Sequence, residues 1–152
     1  MSFIPSSSFV TQATGAIYAQ FLWASRPIKI YKEPIQTIIS QPSNSLYGYE
    51  TDAQSTNQEI TYTENSAIYS GIIIYPLKTK NQNSQLFDSK IILNPNTTYI
   101  KLEEHGKNYI LQDRIEKLEF DSQTWNFTEG NKFQVQTYCG LNFYYFEVKG
   151  TN

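Results

Sequence analysis

The chain contains one histidine and one cysteine in 152 residues. A histidine pair, a Cys–His dyad and a multi-cysteine zinc site therefore cannot be built within one subunit. Cys139 alone cannot form an intrachain disulfide, so stability does not require an oxidising compartment. Beside Gly140 it reads as a small turn residue, and no basic neighbour in sequence would activate its thiol. Charge is scarce as well: Asp, Glu, Lys and Arg make up 17%, the formal net charge is −2, and no basic run is denser than Lys78-Thr79-Lys80. No global field is available to hold nucleic acid, although such a surface can face DNA without sticking to it. No stretch approaches about 18 consecutive apolar residues, so no transmembrane helix is expected. Pro5 and Ser6-Ser7-Ser8 break the apolar core that a signal peptide would need, and the expectation is a soluble protein made in a cytoplasm.

What the chain does have is twelve tyrosines, nine phenylalanines and abundant Asn, Gln, Ser and Thr. From Gln58 onward these fall into short aromatic and β-branched runs broken by turn residues. Gln58–Thr63, Ala67–Tyr75, Thr97–Glu103, Lys107–Gln112, Ile115–Phe120, Lys132–Tyr138 and Asn142–Lys149 read as strands, because such side chains suit a pleated, half-buried surface. An earlier pair, Ile28–Lys32 and Ile35–Ile39, is expected to turn around Glu33-Pro34, with Ile28 and Ile30 on a dry face and Lys29 and Lys32 on a wet one. The predicted fold is an all-β small barrel or sandwich of about seven to nine strands, with long loops and at most one helix. The length suits one such domain, 28–152, preceded by a distinct segment 1–27.

That segment has two readings. Phe9, Ala13, Ile17 and Phe21 recur every fourth residue behind the hydroxyls of Ser6–Ser8, which allows a short amphipathic helix ending before Pro27. The alternative is an extended arm on a neighbouring subunit. In either case Phe21, Leu22 and Trp23 are too apolar to be left in water. Residues 40–57 and 76–88 lack any period, and loops of that length are usually functional or disordered. A β scaffold displays recognition on such connections. The candidate partner contacts are therefore Phe9, Ile17, Phe21, Leu22 and Trp23, Tyr47 and Tyr49 in the first loop, and Lys78 and Lys80 in the second.

The remaining features are chemically bland. Glu104-His105-Gly106-Lys107 reads as the turn of a hairpin spanning Thr97–Gln112, with His105 solvated. Glu103 and Glu104 would face opposite sides of a strand, and Glu116 beside Lys117 reads as a wet face, which argues against the paired carboxylates of a glycosidase. Asp52, Asp88 and Asp121 lack the spacing of a calcium loop. Asn96-Thr97-Thr98 and Asn126-Phe127-Thr128 match the glycosylation sequon at about the frequency chance supplies in this composition. The last strand carries Phe143, Tyr144, Tyr145 and Phe146 consecutively. That pattern predicts burial on both faces, one in the barrel core and one under a further layer or subunit. No catalytic residue, cofactor or metal is expected.

From residue 26 onward, the order of features resembles the head-closure, or stopper, proteins of tailed bacteriophages. The likeness rests on Ile28-Lys29-Ile30-Tyr31-Lys32, the long irregular loop, Ile68–Tyr75, and His105-Gly106-Lys107-Asn108-Tyr109-Ile110-Leu111. It continues through Ile115-Glu116-Lys117-Leu118-Glu119-Phe120 to Phe143-Tyr144-Tyr145-Phe146-Glu147-Val148-Lys149. It is a pattern of strands and turns across roughly 120 residues, and segment 1–27 lies outside it. The resemblance implies a non-enzymatic virion subunit in a ring, commonly matched to a twelve-fold portal. Such a ring stacks between portal or adaptor and tail proteins, with loops near DNA in the channel and no membrane. A tail-completion or baseplate protein would leave a similar signature. A carbohydrate-binding or adhesive module, with Tyr47 and Tyr49 stacking on sugars, is the alternative from another class.

Overall fold

The computed structural model describes residues 7–40, 58–76, 93–94, 96–130 and 132–151. The chain is all-β with two helices: α1 (Ser7–Ala24), β1 (Arg26–Ser40), β2 (Gln58–Ile74), β3 (Thr98–Leu102), α2 (Glu104–Gln112), β4 (Ile115–Phe120), β5 (Gln123–Phe127), β6 (Phe133–Tyr138) and β7 (Leu141–Gly150). All pairings are antiparallel, and the ring β1-β2-β3-β7-β5-β4 closes because β4 returns to β1. Closure removes the exposed sheet edges that an open β-layer would leave. Strand β7 holds it together. One of its edges pairs with β3, while the other takes β6 along its first half and β5 along its second.

Period-two alternation decides what fills the barrel. Ile28 and Ile30 of β1, Ile100 and Leu102 of β3, Leu118 and Phe120 of β4, Trp125 of β5, and Tyr144, Phe146 and Val148 of β7 form one buried cluster. The alternate residues of β7, Phe143 and Tyr145, point outward and meet Phe21 of α1 in a second cluster, flanked by Ile17, Ile72 and Ile74. Helix α1 is that outer layer, and the two-faced burial expected of Phe143–Phe146 is observed. Gly71 sits where β2 passes from pairing with β1 to pairing with β3. A Cβ there would lie 2.6 Å from Ile28 Cδ1 and 2.7 Å from Leu102 Cδ2, so any side chain would have to push both core residues aside.

Four expectations are corrected. Glu33-Pro34 is a bulge inside one continuous strand: Lys32 opposes Asn65 and Ile35 opposes Thr63, leaving two residues against Glu64. Proline is tolerated because β4 stops pairing at Lys32, so only one neighbour remains beside Pro34. Gln58–Thr63 and Ala67–Tyr75 likewise merge into the single strand β2. Lys32 lies inside rather than on the wet face; its ammonium reaches Asp113 at 3.0 Å and lies 3.8 Å from the ring centre of Tyr109.

The fourth correction is α2, a second helix where at most one was expected, in place of the Lys107–Gln112 strand of a hairpin. Gly106 and Ile110, four residues apart, form its buried side, and Gly106 rests on Leu102. Glu104 in the first turn complements the helix dipole. The helix covers the barrel end at Lys32, with Tyr109 against Tyr69 and Arg114 3.2 Å from Glu33. His105 is therefore an exposed helical residue, not a turn residue. Strand β5 was not anticipated at all, and its hairpin with β4 turns through Asp121 and Ser122, both at positive φ.

Candidate assembly surface

Strands β1 and β2 run well past the barrel. Beyond Lys32 on β1 and before Asn65 on β2 they pair, among the described residues, only with each other, out to Ser40 opposite Gln58. The result is a two-stranded ribbon in which every residue of 33–39 and 59–64 is exposed. The residues between its ends, 41–57, lie outside the described part of the chain.

The ribbon is not a polar surface. Cross-strand partners share a face, so Ile38 opposite Ile60 and Gln36 opposite Tyr62 make one side, continuous with the outside of the barrel. Ile35 and Ile39 lie on the other side with Thr61 and Thr63. Ile38 is 56% exposed and Tyr62 59%, although both are residue types that normally fill cores. A two-stranded hairpin with nothing against either face is marginally stable at best in water. The base of the ribbon, by contrast, is charged and paired. Lys29 donates to Glu64 at 2.8 Å, and Lys117 and the Tyr31 hydroxyl donate to Glu119. Lys29 and Lys117 hold these carboxyls below their ordinary range. The apolar surface thus begins at a defined boundary and runs outward.

A second unpartnered surface lies on α1. From Ser7 to Ala24 it contains no charged residue. Its inward stripe is used: Phe21 is buried against Phe143 at 5.0 Å between ring centres, Ile17 packs beside it, and the Thr14 hydroxyl donates to the Cys139 carbonyl at 2.7 Å. Phe9, Leu22 and Trp23 remain outside, with Trp23 90% exposed. Surface helices normally carry charge on the solvent side.

Of the residues expected to meet partners, Phe9, Leu22 and Trp23 are exposed, whereas Phe21 and Ile17 are consumed inside the subunit because β7 offers them an aromatic face. Tyr47, Tyr49, Lys78 and Lys80 lie outside the described residues, as do most of both long loops. The exposed ribbon residues Ile35, Ile38, Ile39, Ile60 and Tyr62 were not among those candidates. The available signal was Ile38-Ile39, which places apolar side chains on both faces of a strand.

Chemistry is sparse elsewhere. An open groove of about 600 Å³ runs between Leu111–Lys117 and Asn126–Phe127. Three of its charges are already paired, Asp113 with Lys32, Arg114 with Glu33 and Lys117 with Glu119, and His105 does not line it. Among the described residues, no group of three His, Cys, Asp or Glu side chains could hold a metal, and no helix is long and apolar enough to cross a membrane. No protein-family model, curated protein or solved structure matches the chain.

Proposed function

We propose that this chain is a structural subunit of a tailed-phage neck, one copy in a ring that joins head to tail and helps close the DNA channel. The supporting observation is the ribbon. A closed barrel satisfies its own core and then extends two strands outward with isoleucine on both faces and a tyrosine on one. Such an element is suited to lie against another folded body. Its neighbours in this reading are further copies of itself, a portal or adaptor below and tail proteins above. The near-neutral charge suits a channel wall that DNA passes without adhering. The protein is made in the host cytoplasm and ends in the virion, with no catalytic residue, cofactor or metal assigned to it.

Electron microscopy of assembled particles tests the assignment. A ring of this subunit on the particle axis, between head and tail, is the expected result. Density at the baseplate or tail tip would replace the neck by another virion layer. Absence from particles together with binding on a glycan array would favour a carbohydrate-binding module and overturn the proposal.

A further inference from the structure

The two unpartnered apolar surfaces lie at opposite ends of one strand. Helix α1 packs over Ile72 and Ile74 at the end of β2, while Ile60 and Tyr62 stand near its beginning. Twelve residues separate Ile60 from Ile72, roughly 40 Å of extended strand. The strand between them is built into the barrel, so a ribbon cannot fold back onto the helix of its own chain. Each copy therefore carries one ribbon and one helix that it cannot bring together.

The two surfaces match in length and chemistry. The ribbon segment of β1 from Glu33 to Ser40 spans about 26 Å, and the 18 residues of α1 span about 27 Å. The helix has no charge, and Gln36, Ile38, Ile60 and Tyr62 on the outer ribbon side have none either. One ribbon face on a helix of that length covers on the order of 500 Å² per partner. Each contact then buries about 1,000 Å² in total, the lower end for a specific interface, and a copy using both its ribbon and its helix makes two of them.

We infer that the outer face of the ribbon, Ile38, Ile60 and Tyr62, docks on the exposed side of α1, Phe9, Leu22 and Trp23, of a second copy of this chain. The contact joins unlike surfaces, so it can pass head-to-tail around a ring or along a filament, or be exchanged reciprocally between two copies; the ring is the outcome that the proposed function requires. This rests on the reading of the chain as an assembling subunit, and it names the surfaces through which assembly occurs.

Two variants of the full chain test it. Ile38→Glu with Ile60→Lys removes the apolar ribbon face while leaving an opposite-charge cross-strand pair that keeps the strands together. Phe9→Gln with Trp23→Gln does the same to the helix with good helix formers. Circular dichroism and a thermal melt establish that both remain folded. By native mass spectrometry, wild type is expected to assemble and each variant alone to remain monomeric. Their mixture should give a 1:1 heterodimer and nothing larger, because one intact ribbon then meets one intact helix. In a Cys139→Ser background, mixed Ile38→Cys and Trp23→Cys chains should cross-link with each other and neither with itself. Wild-type assembly that survives the helix substitutions, or Ile38→Cys chains that cross-link among themselves, would overturn the inference and leave the assembling role intact. A wild type that is monomeric and gives no mixed cross-link at any concentration would remove both.

Discussion

The inner and outer halves of the β1–β2 hairpin are built from the same residue types and meet opposite fates. Ile28 and Ile30 are fully buried, whereas Ile35, Ile38, Ile39 and Ile60 are about half exposed. Sequence character does not separate them. The difference is the company each half keeps: β4 pairs with β1 from Lys29 to Lys32 and β3 pairs with β2 from Gly71 to Ile74, and neither reaches the ribbon. An isoleucine in a strand becomes core only when closure places other strands across from it. Where closure ends, the same residue stays on the surface.

The comparison predicts large effects in the barrel and almost none in the ribbon of an isolated subunit. Phe146 is fully buried between Phe127 and Phe133. Phe146→Ala should cost about 3–5 kcal/mol in urea unfolding, through lost transfer energy and the cavity left behind. Gly71→Ala should cost about 1–3 kcal/mol by overpacking, because Ile28 and Leu102 must move to admit the methyl group. A wild-type-like melt for either variant would mean that the barrel does not close as described.

The next effect is one of pH. The Tyr75 hydroxyl and Arg26 donate to Asp121 and hold its carboxyl below the ordinary range; Glu64 and Glu119 are lowered by Lys29 and Lys117. Unfolded carboxyls titrate near about 3.9 for Asp and 4.3 for Glu. The stabilisation these groups provide is therefore present above about pH 4.3 and lost as pH falls through their lower folded values. Melts taken downward from pH 5 should fall in midpoint, and Asp121→Asn should flatten that fall. An unchanged slope would show that the Arg26–Asp121–Tyr75 contact contributes nothing in solution.

The smallest effect belongs to the ribbon. Ile38→Glu with Ile60→Lys should change the stability of the monomer by less than about 0.5 kcal/mol. Hydrogen exchange should show why: amides of 35–40 and 58–63 should exchange faster than those of 28–32, since local opening is easiest where apolar contacts are few. Equal protection along the whole hairpin would mean that the ribbon is already covered in the isolated chain.

Much of the barrel was legible because local pattern and tertiary role agreed. Phe143–Phe146 announced two buried faces, and Ile115–Phe120 announced a strand, as each proved to be. The errors fall where local chemistry has two structural uses. Glu33-Pro34 suits a turn, but it also suits a bulge on a strand with a free side. Gly106 suits a hairpin, yet it also lets a helix sit against Leu102, a fit visible only once β3 is in place. Of the candidate surface, Phe9, Leu22 and Trp23 could be named from their apolarity. For the ribbon, Ile38-Ile39 hinted at two apolar faces, but nothing within β1 or β2 says where the neighbouring strands stop.

Strand β7 sets an order of events in synthesis. It joins β3 to β5 and carries β6, so the ring has no closing member until residues 141–150 have been made. Until then Ile28, Ile100 and Leu118 lack the aromatic wall of Tyr144 and Phe146, and α1 lacks the seat that Phe143 provides for Phe21. Contacts so distant along the chain form slowly and late. A nascent chain stalled before residue 141 would hold a hairpin able to pair and a helix unable to dock. Seating of α1 thus depends on a strand at the far end of the described residues.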